Sequence, residues 1–288
     1  MKVKKAVIPA AGFGTRMLPA AKSVPKEMIC IAGRPAIHYI VKEAVESGIE
    51  DILIIVSRGK TAIEDYFDYS PELEERLERS GKTQQRDELR AIADMANITF
   101  TRQKELLGLG HAIMQAKRFT GEEPFAVLLG DDIMRSEGKP VTGQLIEKAE
   151  EYSCSCVGVK QVMSEEISKY CSLGVSPVAD GLFDVSSLIE KPKPEQIISN
   201  YAILGRYILT HGIYEMLENA KPGFGGEIQL TDGLNALCKK ERMLALDFEG
   251  KRFDSGNICG YMEASIRFAL DNPDVSGWLK NYMKGLEL

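Results

Sequence analysis

The first half of the chain alternates short apolar runs with amphipathic stretches. Apolar runs without a helical period predict buried strands at residues 6–8, 51–56, 97–102 and 125–129. Apolar positions at helical spacing predict a helix over residues 35–47, with Pro35 in its first turn and Gly48 just past its end. Residues 61–95 are charge-rich with leucines at helical spacing, which predicts solvated helices around Gly81. Strands that alternate with helices indicate a doubly wound α/β sheet.

The second half has a different rhythm. Strand-like runs at residues 154–160, 173–176, 182–189 and 201–209 have few predicted helices between them, so we expect antiparallel or mixed strands. Helices are predicted at about residues 212–219, 228–239 and 258–270. The tail, residues 276–288 with Trp278, is expected to close the core or to pack on a partner. No repeat, linker or composition break divides the chain, which predicts a single domain over residues 1–288.

The first strand leads into a cationic loop that contains two glycines. Gly12 and Gly14 lack the side chains that would keep a bulky anion from the backbone, and Arg16, Lys22 and Lys26 add positive charge. A P-loop is excluded because its Gly-x-x-x-x-Gly-Lys-[Ser/Thr] spacing is absent, and the dinucleotide fingerprint lacks its third glycine and its acidic residue after the second strand. A lone Gly-x-Gly favours a tight turn, but the cations and two prolines indicate a long, stiff, positively charged loop.

Composition narrows the classes of function. The formal net charge of −6 disfavours nucleic-acid and anionic-membrane partners. No apolar run reaches the roughly 20 residues of a membrane span, and the N-terminal run is too short for a signal peptide. We therefore expect a cytoplasmic protein. Six cysteines without Cys-x-x-Cys spacing are interpreted as reduced core thiols: Cys30, Cys154, Cys156, Cys171, Cys238 and Cys259.

The loop also carries a family resemblance. Gly12-Phe13-Gly14-Thr15-Arg16-Met17-Leu18-Pro19, followed by Pro25-Lys26-Glu27-Met28, resembles the signature of sugar-nucleotide pyrophosphorylases, and most closely that of bacterial UTP:glucose-1-phosphate uridylyltransferases. The resemblance continues along nearly the whole chain. It implies a Rossmann-like α/β fold with a mixed, mainly parallel central sheet flanked by helices, in a homo-oligomer (dimer or tetramer). The NTP-binding part would cover about residues 1–135, and the sugar-phosphate part about residues 136–288.

The implied reaction transfers UMP from UTP to α-D-glucose 1-phosphate, with Mg²⁺ as cofactor and no covalent intermediate. The attacking phosphate is already largely ionised near neutral pH, so the reaction needs positioning and charge neutralisation rather than a general base. Accordingly, the three histidines are interpreted as local structural groups: His38, His111 and His211.

The same resemblance implies the nucleotide site. The nucleotide-binding residues would be Ala11, Gly12, Gly14, Thr15, Arg16, Lys26, Gln103 and Gly108. Arg16 would bind the departing pyrophosphate, and Lys26 would hold the phosphates near the reacting phosphorus. The Gln103 amide would read uracil, since it can both accept from N3–H and donate to a carbonyl. Gly108 would let the base approach the backbone.

The sugar-phosphate and metal residues follow from the same resemblance. Sugar-phosphate binding would involve Gly174, Glu190, Lys191 and Glu227, with Lys191 catalytic through neutralisation of the attacking phosphate; Asp131 and Asp254 would bind Mg²⁺. Asp132 is interpreted as a turn or helix-cap residue. Taken singly, each of these motifs also fits an ordinary turn or helix end.

Two alternatives remain open. One is a related nucleotidyltransferase that uses dTTP or another sugar 1-phosphate. The other is a catalytically silent regulatory homologue that keeps the fold, although the joint presence of Lys26, Asp131, Lys191 and Asp254 counts against it.

Overall fold

The computed structural model of the protein describes residues 1–286. The strands are β1 (Lys5–Pro9), β2 (Cys30–Ile31), β3 (Arg34–Pro35), β4 (Asp51–Val56), β5 (Asn97–Arg102), β6 (Phe125–Leu128), β7 (Asp132–Arg135), β8 (Ser155–Gln161), β9 (Cys171–Ala179), β10 (Leu182–Glu190), β11 (Tyr201–Leu209), β12 (Met243–Asp247) and β13 (Lys251–Asp254). The helices are α1 (Ala36–Glu46), α2 (Thr61–Phe67), α3 (Pro71–Arg79), α4 (Thr83–Ala93), α5 (Leu109–Met114), α6 (Lys117–Thr120), α7 (Val141–Tyr152), α8 (Ile213–Glu218), α9 (Leu230–Leu237), α10 (Ile258–Asp271) and α11 (Pro273–Lys284).

Nine strands form one sheet in the order β5-β4-β1-β6-β11-β8-β12-β10-β9. The first four strands in this order are parallel, whereas β11, β10 and β9 run antiparallel to their neighbours and β12 runs parallel to β8. The α/β fold with a mixed central sheet is confirmed. Seven of these nine strands run in the same direction, and β10 and β11 run in the opposite one.

Both faces of the sheet are covered. In β1, Ala6 and Ile8 point into a core that they share with α1 and α7, while Val7 points into the opposite core, formed with α5, α8 and α9. This explains why the strand reads as a continuous apolar run, since neither face meets water. A third, smaller cluster joins the two-stranded β7–β13 sheet to α10 through Phe253 and Ala264.

Most sequence-predicted elements are confirmed, but some elements were not predicted. They are the helix α7 and the short strands β2, β3, β7, β12 and β13. The tail forms helix α11, and its Trp278 is 66% exposed, so it does not close the core of this chain. Residues 287 and 288 of the predicted tail lie outside the described residues.

All six cysteines are free, as predicted, but not all belong to the core. Cys154, Cys156 and Cys171 are buried and Cys238 is half-buried, whereas Cys30 and Cys259 are exposed. Among the helices of residues 1–286, none combines the length and apolar character needed to cross a membrane.

Candidate active site

A cleft of about 440 Å³ opens at the carboxyl ends of β1, β5 and β6. It is lined by seven of the eight predicted nucleotide-binding residues, together with Asp131 and Glu227. The seven are Ala11, Gly12, Gly14, Thr15, Lys26, Gln103 and Gly108. Within residues 1–286, Arg16, Asp254, Gly174, Glu190 and Lys191 are not part of this lining. The cleft lies where parallel α/β sheets usually bind their ligands.

The glycine loop is built from short turns rather than from a helix. Three 3-10 turns follow one another at Thr15–Met17, Ala20–Lys22 and Lys26–Met28. Gly14 has φ +68°, and a side chain there would lie 3.1 Å from Cβ of Lys26. A glycine at this position therefore lets the loop fold back on itself and brings Lys26 to the cleft.

Two cations and two aspartates meet at one edge of the cleft. Arg16 Nη1 donates to Asp254 Oδ2 at 3.0 Å, and its Nη2 donates to Asp131 Oδ2 at 3.3 Å. Lys26 Nζ donates to the same Asp131 oxygen at 2.5 Å. Asp131 and Asp254, predicted to converge from distant parts of the sequence, therefore share one guanidinium group.

The electrostatics of this cluster favour its charged forms. Burial alone would raise the pKa of Asp131, but the neighbouring charges of Lys26 and Arg16 outweigh it and hold this pKa below its usual value. Burial would likewise lower the pKa of Lys26, yet Asp131 and Glu27 raise it overall. The ammonium and the carboxylate therefore stabilise each other as ions.

The Asp254-Ser255-Gly256-Asn257 turn explains how the two aspartates are joined. Ser255 donates from both N–H and Oγ to the carbonyl of Asp131, at 2.9 and 2.8 Å. A side chain on Gly256 would lie 2.5 Å from Asp131 Oδ2 and 2.7 Å from Arg16 Nη2. Asn257 caps α10 by accepting from the Gly260 N–H at 2.9 Å. The turn thus fixes the backbone of both aspartates and leaves room for the guanidinium.

Gln103 lies on the opposite wall of the cleft. Its Nε2 donates to the carbonyl of Gly108 at 3.1 Å and lies 3.0 Å from His111 Nδ1. A side chain on Gly108, at φ +104°, would lie 2.7 Å from the carbonyl of Ile228 and from Cβ of Glu227. The glycine is therefore required by close packing of the two segments, whether or not a base approaches it.

Asp132 is neither a turn nor a cap residue. It begins β7, is buried, and accepts from Arg252 Nε at 2.6 Å. Burial raises the pKa of Asp132 to about 6, although the Arg252 charge opposes this shift. Arg252 also lies 3.5 Å from Asp254 Oδ2 and donates to the Tyr170 hydroxyl at 3.3 Å.

Of the predicted sugar-phosphate residues, Gly174 lies in β9, Glu190 ends β10 and Lys191 follows it, whereas Glu227 lines the nucleotide cleft. Glu190 Oε2 accepts from Thr231 Oγ1 at 2.6 Å. Lys191 is exposed, has φ +43°, and donates its N–H to the carbonyl of Tyr170 at 2.8 Å. A left-handed conformation is uncommon for lysine and marks a locally constrained backbone. Gly174 is buried in β9, where a side chain would lie 2.6 Å from Ser187 Oγ.

Sequence reasoning missed three contributors to the site: the buried pair Glu27 and Lys60, and Arg252. Lys60 Nζ donates to both Glu27 carboxylate oxygens, at 3.1 and 2.9 Å. Glu27 follows Lys26 in the loop signature, and Arg252 lies two positions before Asp254, which was the available signal. Nothing in the local sequence indicates that Lys60 is buried. Within residues 1–286, no cluster of three His, Cys, Asp or Glu side chains forms a metal site by itself.

An α/β sheet with a cationic glycine loop at its carboxyl edge has the construction of a nucleotide-binding protein. The chain belongs to the nucleotidyl transferase family, which it matches over residues 5–269.

Sequence relatives span almost the whole chain. A UTP–glucose-1-phosphate uridylyltransferase of Bacillus subtilis strain 168, YngB, is 50% identical over 283 residues, covering 98% of this chain and 95% of the relative. A second protein of that description from the same strain is 47% identical over 285 residues, covering 99% and 97%.

Solved structures agree with the fold. A UTP-bound UGPase from Acinetobacter baumannii superimposes with a TM-score of 0.91 at 36% identity, covering 99% of this chain and 100% of that one. A UDP-glucose pyrophosphorylase complexed with UDP-glucose gives a TM-score of 0.85 at 40% identity, covering 94% and 100%. The predicted family and fold class are confirmed.

Proposed function

We propose that the protein transfers UMP from UTP to α-D-glucose 1-phosphate, which yields UDP-glucose and pyrophosphate. The observation that carries this proposal is the cluster of Arg16, Lys26, Asp131 and Asp254 at the edge of the nucleotide-sized cleft. Relatives that are named for this activity and match nearly the whole chain support the choice of substrates, as do similar structures that hold UTP or UDP-glucose.

The chain's own residues supply charge and position. Ala11, Gly12, Gly14 and Thr15 offer backbone and small side chains to the nucleotide, with Gln103 and Gly108 beside the base. Arg16 binds the departing pyrophosphate, and Lys26 neutralises the phosphates around the reacting phosphorus. The sugar phosphate attacks directly, because its oxygen is already ionised and no proton has to be removed.

The aspartate pair fits a magnesium ion that arrives with the nucleotide. Mg²⁺ is usually held by one or two carboxylates together with substrate phosphates and waters. Asp131 and Asp254 offer two carboxylates from segments tied to each other through Ser255. The ion would be held by these two residues and would offset repulsion between the two anionic substrates.

The sugar phosphate is assigned to the second half of the chain. Glu190 and Glu227 would accept hydrogen bonds from glucose hydroxyls, Lys191 would neutralise the attacking phosphate, and Gly174 would border the sugar. The exposed Lys191 and its constrained backbone support this assignment. We therefore propose a single domain over residues 1–288. Its NTP-binding part would cover about residues 1–135, and its sugar-phosphate part about residues 136–288.

A substrate panel tests the activity. Purified protein is incubated with Mg²⁺, each of UTP and dTTP, and each of several sugar 1-phosphates, and pyrophosphate release is measured. We expect the highest kcat/KM with UTP and glucose 1-phosphate. A higher kcat/KM with dTTP would assign the related thymidylyl reaction, and no release from any pair would assign the silent homologue.

We also propose a cytoplasmic homo-oligomer. The six unpaired cysteines are compatible with a reducing compartment. Exposed apolar side chains follow one another along the two C-terminal helices, and a large surface of this kind usually marks an interface. They are Ile258, Met262, Ile266, Val275, Trp278, Tyr282, Met283 and Leu286.

A further inference from the structure

A buried ion pair lies directly beneath the glycine loop. Glu27 is 1% exposed and Lys60 is 7% exposed. The Lys60 ammonium donates to both carboxylate oxygens of Glu27 and to the carbonyl of Ala10, at 2.5 Å. All three of its N–H groups therefore have acceptors. Burial raises the pKa of Glu27 and lowers that of Lys60, as expected for a pair removed from water.

This pair contacts three segments that bring residues to the cleft. Ala10 follows β1 directly and precedes the cleft-lining Ala11. Glu27 follows Lys26 directly, and a side chain on Gly130, the neighbour of Asp131, would lie 3.4 Å from Glu27 Cγ. Neither Glu27 nor Lys60 lines the 440 Å³ cleft. Lys60 therefore links Ala10, at the start of the glycine loop, to Glu27, at its end.

Stability alone does not account for such a pair. Removing two charges from water is costly, and well-packed apolar residues often serve a core equally well or better. A fixed ammonium with three acceptors does define the relative position of the groups that it binds. Lys26 is the group for which position matters most, because charge stabilisation in catalysis depends on preorganisation.

We propose that Lys60 is a positioning residue: through Glu27 and Ala10 it holds the Lys26 ammonium against Asp131. This inference rests on the proposed function for its effect on turnover, but not for its effect on Lys26 itself. A misplacement of about 1 Å can cost about 10²-fold in rate. Loss of the pair should therefore lower kcat by about 10-fold or more, with a smaller effect on the KM for UTP.

The main variant is Lys60→Met/Glu27→Gln, which removes both charges together and leaves no single buried ion. Ile63→Ala is the matched control. Ile63 is fully buried in α2, three positions after Lys60, and its truncation lowers stability without touching the pair. Melting curves establish a temperature at which all variants are folded. If the double variant does not fold, Lys60→Arg replaces it, because a planar guanidinium cannot reproduce the three ammonium contacts.

The first measurement needs no turnover. The rate at which acetic anhydride labels Lys26 is followed by mass spectrometry in the full-length protein. We expect Lys26 to be labelled several-fold faster in the Lys60→Met/Glu27→Gln variant than in the wild type. In Ile63→Ala it should be labelled at the wild-type rate. Equal rates of Lys26 labelling in the Lys60→Met/Glu27→Gln variant and the wild type would overturn the inference.

The second measurement is a double-mutant cycle on kcat. If Lys60 acts through Lys26, the Lys60→Met/Glu27→Gln substitutions should lower kcat at least 10-fold in the wild-type background. In the Lys26→Ala background they should lower kcat less than about 3-fold. Equal losses in both backgrounds would overturn the inference. If the wild type releases no pyrophosphate from any substrate pair, the proposed function fails, while the labelling result still decides the role of Lys60.

Discussion

At the scale of single residues, the site depends on a few side chains that each hold several partners. Arg16 contacts both aspartates, and Asp131 also accepts from Lys26. The positive groups of the site are thus paired with its negative ones. Phosphates provide alternative acceptors for Arg16 and Lys26, so nucleotide binding would exchange one set of charge pairs for another.

Lys26→Ala should lower kcat more than it weakens UTP binding. The charge on the phosphates changes as the reacting phosphorus is attacked, so the contact with Lys26 is stronger in the transition state than in the ground state. Steady-state kinetics and calorimetric UTP binding separate the two effects. Lys22→Ala is the control, since Lys22 is an exposed cation of the same loop. An unchanged kcat with a raised UTP KM would contradict this role.

Asp131→Asn or Asp254→Asn should lower kcat by about 10²-fold, the scale of a lost preorganised electrostatic contact. The Mg²⁺ concentration at half-maximal rate should rise, because each variant removes one carboxylate ligand. Rates are measured across a Mg²⁺ titration, with the exposed turn residue Asp180 changed to Asn as the control. Normal rates at limiting Mg²⁺ in both variants would exclude this metal site.

At the scale of elements, the two-stranded β7–β13 sheet and β11 meet around Asp132. Asp132 starts β7, pairs with Arg252 on β13, and packs against Gly205 of β11. Through Arg252 this junction reaches Asp254. The position of the second aspartate therefore depends on strand packing as well as on its own turn.

Gly205→Ala should unfold more easily than the wild type. Its φ is +71°, and an added Cβ would overlap the carboxylate of Asp132. Gly48→Ala is the control: it has φ +86° with open space around it, so it should lose only the left-handed backbone term of about 1–2 kcal/mol. Urea unfolding of both variants tests this. A loss for Gly205→Ala no larger than that for Gly48→Ala would contradict the proposed overlap.

The sequence predicted elements best where the pattern of apolar residues was long. The bounds of β4, β5 and β11 match the predictions. β4 and β11 are sustained apolar runs inside the sheet, whereas β5 lies at its edge and alternates polar with apolar residues. The α7 helix was missed because polar and charged residues interrupt its buried positions. In β7 and β13 only four residues pair, which is too short for a clear alternation. The same limit applies at the site: motifs identified Lys26 and Asp131, but Lys60 becomes a neighbour of Glu27 only in the folded chain.

At the scale of the whole molecule, the cleft region is shared by both halves of the chain. Arg16 pairs with Asp254, and Gly110 N–H donates to the carbonyl of Ile228 at 2.8 Å. The sheet likewise joins β6 of the first half to β11 of the second. Neither half holds the full set of charged groups by itself.

Trp278→Ser/Tyr282→Ser should weaken self-association. The two rings stack on each other at a centroid distance of 5.3 Å and remain 66% and 55% exposed. Burial of such rings contributes strongly to interfaces. Light scattering after size exclusion measures the mass over a range of concentrations, with Met163→Ser, which changes an exposed side chain elsewhere, as the control. An unchanged mass for the double variant would exclude this surface as the interface.

The pairing of Arg16 with Asp254 has a consequence for synthesis of the protein. The two residues are separated by 238 positions, and the ribosome makes Arg16 first. The nascent chain therefore carries the guanidinium, Lys26 and the first aspartate well before the second aspartate emerges. Until that point Arg16 lacks this carboxylate, and a chain whose synthesis stops before β13 would contain most of the nucleotide cleft without its second proposed metal ligand. Catalytic competence would thus be acquired only after β13 has been synthesised.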